Sequence, residues 1–142
     1  MKTAIFITVR TGSTRLPNKA LIEIQSIPTI VHLIRRVKKV NVDHIILCTT
    51  SLEEDDILCD IAKNEGIDFY RGSEDDVMGR VLNASLKFKV DIIVEITGDC
   101  PIIDPEIISL VLNTHLENKC DYTSNCNFRS YPDGMDVQVF ST

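Results

Sequence analysis

Ala4-Ile5-Phe6-Ile7-Thr8-Val9-Arg10-Thr11-Gly12-Ser13-Thr14-Arg15-Leu16-Pro17-Asn18-Lys19 is the stretch on which the reading of the fold turns. Its first six residues form a short run rich in Ile, Val and Phe, which reads as a buried strand ended by a polar, glycine-containing loop. Outward from there, strand and helix patterns alternate. Pro28 suits a first helical turn, and Ile30, Leu33, Ile34 and Val37 recur at helical spacing up to about Lys39. Residues 44–49 read as a second buried strand. Ser51 with Glu54 is a capping-box signature for a helix that Gly66 ends. Residues 67–70 read as a short strand, Ser73 with Asp76 opens a helix ending near Lys89, and residues 91–97 form a third long strand. Asp104 as N-cap and Pro105 as first helical residue start the next helix. Residues 121–124 read as a strand, and 135–140 alternate like one after a Pro-Asp-Gly turn. The alternation predicts an α/β fold: a mostly parallel sheet flanked by helices, with ligands at the carboxyl ends of the strands.

Composition narrows the functions. The chain has 142 residues, 44% apolar and 25% charged, enough for one domain with its own core. Its apolar runs fall well short of the roughly 20 residues that span a bilayer. The start is too short for a signal-peptide core, so a cytoplasmic protein is expected. The five cysteines include no Cys-x-x-Cys pair and read as reduced core residues. A zinc site from His115, Cys120 and Cys126 has the wrong spacing, and no histidine adjoins a nucleophile as a triad needs. Net charge is −6, but residues 1–40 hold eight basic side chains and one acid, leaving seven basic and twenty acidic ones in the rest. An acidic body lacks the broad positive footprint of a nucleic-acid binder, and a small basic region on it suits a compact anion such as a phosphate chain. Arg35, Arg36, Lys38 and Lys39 read as a solvated helix face, so the anion falls to Arg10, Arg15 and Lys19.

Four segments carry chemistry. In the first loop, Gly12 lets the backbone turn and approach a ligand. Backbone N–H groups and the Ser13 and Thr14 hydroxyls can cradle phosphate oxygens, Arg10 and Arg15 can fork onto them, and Lys19 adds a point charge. The loop matches neither Gly-x-x-x-x-Gly-Lys-Ser/Thr nor Gly-x-Gly-x-x-Gly, which removes the main support for a P-loop ATPase or a dinucleotide dehydrogenase. In Thr97-Gly98-Asp99-Cys100-Pro101, a tight turn holds Asp99 at the sheet's rim, either as a Mg²⁺ ligand facing the triphosphate or as a cap for nearby N–H groups. Arg71-Gly72-Ser73 ends a strand where it reaches a base or ribose, or simply starts the next helix, for which the acids after it suit the N-terminus. Asp136, after the Pro132-Asp133-Gly134 turn, binds a sugar hydroxyl or is a solvated strand residue.

These segments resemble, in order, the cytidylyltransferases that activate acidic sugars, makers of CMP-sialic acid and CMP-Kdo. The carrying residues are 10–19, Gly72-Ser73-Glu74-Asp75-Asp76-Val77, Thr97-Gly98-Asp99-Cys100-Pro101-Ile102-Ile103-Asp104 and Pro132-Asp133-Gly134-Met135-Asp136-Val137. The last of these favours the branch of the spore coat polysaccharide biosynthesis protein SpsF. The resemblance implies a nucleotide-diphospho-sugar transferase fold of the GT-A kind. The implied reaction is Mg²⁺-dependent: a sugar hydroxyl attacks the α-phosphorus of CTP and releases pyrophosphate. It also implies catalytic roles for Arg10, Lys19 and Asp99, with Asp99 on the metal. Nucleotide contacts fall to Arg10, Gly12, Ser13, Arg15, Lys19, Thr50, Arg71 and Ser73, and a sugar contact to Asp136. Family members run longer, so residues 1–142 are expected to be the nucleotide-binding part of a longer, C-terminally truncated catalytic domain that binds nucleotide and turns over poorly. The remainder normally supplies more of the sugar pocket, a second metal-binding carboxylate and dimer contacts, which leaves a homodimer open. Two rivals follow from the same fold. A GT-A glycosyltransferase would want an Asp-x-Asp pair, which no strand end carries. A binding-only domain of the receiver kind would want acids where Arg10 and Arg15 stand.

Overall fold

The structure, a computed structural model, describes residues 1–13 and 15–142; the Thr14 hydroxyl named above lies outside the described residues. The first strand, β1 (Thr3–Thr8), lies inside a six-stranded sheet between β4 (His44–Thr50) and β6 (Ile92–Thr97), parallel to both. Beyond β4 lies β5 (Asp68–Gly72), also parallel. Beyond β6 come β8 (Gln138–Ser141) and then β7 (Tyr122–Ser124), both antiparallel to their neighbours. The mostly parallel sheet is therefore as expected, with an antiparallel edge added.

Side chains of β1 show why this strand is central. Ile5 and Ile7 point into the larger core with Leu33 and Ile34 of α1 (Thr29–Val37), Leu58 of α2 (Asp56–Asn64) and Leu112 of α4 (Pro105–Asn118). Ala4 and Phe6 point the other way, into a smaller core with Val81 and Ala84 of α3 (Val77–Phe88). Both faces of the strand are covered, so its sequence is apolar without alternation. Chain order runs from β1 outward through β4 to β5, then returns across the sheet to β6. That reversal opens a crevice at the carboxyl ends of β1 and β6.

Several local expectations are corrected. A small hairpin, β2 (Glu23–Ile24) and β3 (Ile27–Pro28), precedes α1; its two turn residues, Gln25 and Ser26, have φ of 52° and 60°. Such a turn usually advertises itself by Asn or Gly, and this one carries neither. The Ser51–Glu54 capping box does not form: a 3₁₀ turn, Glu53–Asp55, leads into α2, and no side chain caps either start. Asp76, not Ser73, caps α3, accepting from Gly79 N at 2.7 Å, while Ser73 Oγ accepts from Asp76 N at 3.2 Å. Asp104 caps α4 as expected, accepting from Glu106 N at 2.9 Å. The last strand starts at Gln138, not at Met135: just before it, the Asn125 side-chain amide donates to Met135 O and accepts from Val137 N, both at 2.8 Å. Among the described residues, no helix is long and apolar enough to cross a membrane.

His115 of α4 fastens the antiparallel edge. It is 1% exposed, with Nδ1 3.0 Å from Thr123 Oγ1 and Nε2 3.3 Å from Ser141 Oγ. Burial pushes its pKa below the ordinary 6.5. The unfolded chain therefore binds the proton more readily than the folded one, so this contribution is complete above about pH 6.5 and is lost as pH falls through the folded value. Thermal unfolding should show a midpoint that drops from pH 8 to pH 5. In His115→Gln that pH dependence should flatten, with a cost at pH 8 of about 1–3 kcal/mol for the hydrogen bonds disturbed.

Candidate active site

The loop after β1 and the turn after β6 meet in a cleft of about 530 Å³ at the carboxyl ends of the strands. Arg10, Gly12, Ser13, Arg15 and Lys19 line it from the first loop, and Thr97, Gly98 and Asp99 from the second. Glu74, Asp75, Val77 and Arg80 close it from the start of α3. The two loops touch at Gly98, whose N–H donates to Thr8 O at 2.9 Å; a Cβ there would lie 2.5 Å from Val9 Cβ. Only glycine allows that approach, and it brings Asp99 within reach of the basic loop. Gly12 has a milder reason: a Cβ would meet only the tip of the Glu54 side chain, at 2.7 Å.

Two of the cleft's cations are paired across it. Lys19 Nζ donates to Asp99 Oδ2 at 2.6 Å, and this contact, ahead of burial, sets the Asp99 pKa below the usual carboxylate value. Arg10 donates to Glu74 Oε1 at 2.7 Å. All four groups are two-fifths to one-half exposed, so their pairings are open to exchange with a ligand. Beneath the rim, Glu95 of β6 is half-buried, accepts from Thr8 Oγ1 at 3.4 Å, and has its pKa raised by burial.

A buried carboxylate that the sequence reading did not single out holds the basic loop in place. Asp55 has no exposure. Its Oδ1 accepts from Thr11 N and Thr11 Oγ1, both at 2.7 Å, and its Oδ2 accepts from Thr50 N at 3.3 Å and from the Thr50 hydroxyl. Burial alone would raise its pKa, but the hydroxyls of Thr50 and Thr11 and the Thr11 amide outweigh that and hold it below the ordinary value. The Thr50 side chain is thereby committed to the loop's foundation and, fully buried, does not line the cleft. Arg71 is committed too: it donates to Thr50 O at 2.9 Å and Leu52 O at 2.7 Å and pairs with Asp56 at 2.6 Å. Ser73 is exposed just outside the lining. Asp136 is exposed and precedes β8 where Gln138 pairs with Glu95, which puts it on the same rim as Asp99 though outside the cleft lining. Arg80, conversely, lies in the cleft wall although its position inside a helix gave no sequence signal.

Such an arrangement defines an α/β protein with a cleft lined by several cations at the switch point of its sheet. Residues 4–130 match the Cytidylyltransferase family, and the chain belongs to it. An uncharacterised protein of Methanocaldococcus jannaschii is 39% identical over 142 residues, 99% of this chain and 57% of that one. Spore coat polysaccharide biosynthesis protein SpsF of Bacillus subtilis is 34% identical over 122 residues, 82% of this chain and 51% of that one. The solved structure of a cytidylyltransferase from Leptospira borgpetersenii superposes with a TM-score of 0.95 at 35% identity, covering 99% of this chain and 60% of that one. The chain thus spans a little over half the length of the curated relatives it matches. These likenesses agree with the nucleotide-diphospho-sugar transferase fold expected from the motifs.

Replacing Asp55 by Ala strands the Thr11 and Thr50 donors in a buried place, and each such group costs about 1–3 kcal/mol. Asp55→Ala should therefore lower stability by about 3–5 kcal/mol in urea unfolding at neutral pH. The gap between wild type and variant should shrink as pH falls below 3.8, because the stabilising carboxylate is ionised above that value and protonates as pH drops through its lower folded pKa.

Proposed function

We propose that this chain carries the CTP site of a nucleotidyltransferase that converts a sugar to a CMP-sugar with release of pyrophosphate. The observation that carries this reading is the meeting, in one cleft, of Arg10, Arg15 and Lys19 from the β1 loop with Asp99 from the β6 turn, Lys19 Nζ lying 2.6 Å from the carboxylate. The sugar is an acidic one, a choice supported by the motif resemblance, and is destined for a surface polysaccharide, a choice supported by the likeness to SpsF. In the reaction, the oxygen of the sugar's anomeric hydroxyl bonds to the α-phosphorus of CTP, the bond from that phosphorus to the β-phosphate oxygen breaks, and the hydroxyl proton is released.

Each residue has a separable task. Arg10 and Arg15 hold phosphate oxygens through their forked N–H groups, and Lys19 neutralises charge that builds on the departing pyrophosphate. Gly12 and Ser13 bring backbone and hydroxyl donors close to the chain. Asp99 offers a hard, ionised oxygen at the rim, which suits a Mg²⁺ ion that takes one or two carboxylates and completes its shell with phosphate oxygens and water. Bound there, the metal would supply further charge neutralisation. On the β4 and β5 side the base or ribose contact falls to the exposed Ser73, while Thr50, fully buried, and Arg71, its guanidinium already bonded, support that edge from beneath. Asp136 lies on the rim on the opposite, β8 side, where the sugar would enter.

Thermal unfolding with Mg²⁺ and each of CTP, UTP, ATP and GTP tests the reading. A ligand at 100 times its dissociation constant stabilises by about 2.7 kcal/mol, which for a domain of this size raises the midpoint by a few degrees. CTP should give that shift, the other three less, and Lys19→Ala should abolish it without lowering the midpoint of the free protein. A folded wild type that shifts with none of the four would overturn the proposal. Glu74→Gln supplies a second check: freeing Arg10 from its partner should tighten CTP binding by about two- to fivefold, the scale of an exposed ion pair, as read by calorimetric titration.

A further inference from the structure

Arg80 is a buried cation without a countercharge in contact. It sits on α3, one turn beyond the Asp76 cap, with 4% exposure. Its stem fills the space that Gly72 leaves: a Cβ on Gly72 would lie 3.1 Å from Arg80 Cγ and 3.3 Å from its Cβ. One guanidinium nitrogen donates to Ser73 O at 3.1 Å. Nε is buried and, among the described residues, finds no acceptor. Nor does any carboxylate of the described residues come within 4.0 Å of the guanidinium, although the cleft contains Glu74, Asp75 and Asp99.

Burial pushes the Arg80 pKa below its ordinary value, yet an arginine stays charged at any ordinary pH. Asp55 and Glu95 act on it favourably from a distance, while Arg10 repels it. A desolvated guanidinium with an unmatched N–H is unfavourable unless something supplies both an acceptor and a negative charge. A neutral carbonyl would satisfy the N–H alone. An anion entering the cleft supplies the negative charge and an acceptor for the terminal guanidinium nitrogens, and Arg80 is part of the cleft's wall.

We propose that Arg80 is a phosphate-binding residue of the cleft, meeting the ligand's phosphate chain from the α3 side while Arg10 and Lys19 meet it from the loop side. This rests on reading the cleft as a nucleoside triphosphate site. Gly72 acquires a purpose on the same grounds, since it makes room for the arginine's stem beneath the end of β5.

Calorimetric titration of residues 1–142 with CTP, inorganic tripolyphosphate and cytidine separates the roles. Arg80→Met keeps the stem and removes the charge; it should weaken CTP and tripolyphosphate by about 10- to 100-fold, the range for a charged hydrogen bond, and leave cytidine unchanged. Arg80→Lys should recover part of the loss, since it restores the charge without the fork. In the wild type, the Arg80 Nε–H resonance should shift on addition of tripolyphosphate, a readout that does not depend on any variant folding. Tripolyphosphate binding that leaves this resonance unmoved, or is as tight in Arg80→Met as in the wild type, overturns the proposal. Equal losses for cytidine and CTP in a variant whose own melting midpoint is unchanged overturn it as well, by placing Arg80 against the base. A wild type that binds neither CTP nor tripolyphosphate sinks this inference together with the nucleotide reading, whereas normal CTP binding in Arg80→Met sinks this inference alone.

Discussion

Asp55 takes four donors from two different strands' ends, and the geometry of the cleft depends on that one carboxylate. The loop after β1 must leave the sheet with its backbone N–H groups and cations facing outward. It has little apolar side-chain material with which to hold itself there, so polar bonds must do it. A carboxylate buried without partners would take up a proton and release the loop. With two amides and two hydroxyls converging on it, the ionised form is the stable one, and the loop is fixed to β4 through the same atoms. The capping box at Ser51 and Glu54 gives way for a related reason. Asp55 is bound to the threonines, Thr50 Oγ1 accepts from Leu52 N, and the chain enters α2 through a 3₁₀ turn.

Gly98 applies a second constraint of a different kind. The sheet brings Thr8 and Thr97 into register on neighbouring parallel strands, so the two loops that follow leave side by side. They can approach as closely as they do only because Gly98 has no Cβ to meet Val9. Positioning and approach together place Lys19 against Asp99, from segments 80 residues apart in the chain.

Much of this was legible from the residues, and the parts that were not share a cause. The run 4–9 has a composition that only a covered strand tolerates, and a basic loop after it falls, by the topology of any parallel sheet, at a ligand-binding edge. Lys19 and Asp99 could thus be placed at one edge without coordinates. The β2–β3 hairpin escaped because Gln25 and Ser26 adopt positive φ without a residue type that signals it. Asp55 and Arg80 escaped because their significance is tertiary. Asp55 reads as one more acid in the run Glu53-Glu54-Asp55-Asp56, and Arg80 as a surface arginine on a helix. Only packing shows that each is buried, and burial is what turns an ordinary charge into one that needs partners. Arg71 shows the converse: its strand-end position looked free for a ligand, but its guanidinium is occupied by two carbonyls and Asp56.

Two of the cleft's cations are held by its own acids, and that bears on selectivity. A site lined with unpaired cations would attract any polyanion. Here Arg10 and Lys19 each face a carboxylate, so a bare anion must compete with Glu74 and Asp99 for them. A ligand that brought a phosphate chain and a divalent cation together would avoid that competition on the Asp99 side: Lys19 would hold the phosphates and Asp99 would hold the cation, which would leave neither side chain's charge unpaired. On the nucleotidyltransferase reading, the Lys19–Asp99 pair therefore favours the metal complex of the triphosphate over either component alone. Arg80 differs from both loop cations in having no acid to give up. No carboxylate of the described residues touches it, so on the phosphate-binding reading its contact breaks no ion pair, unlike those of the two loop cations.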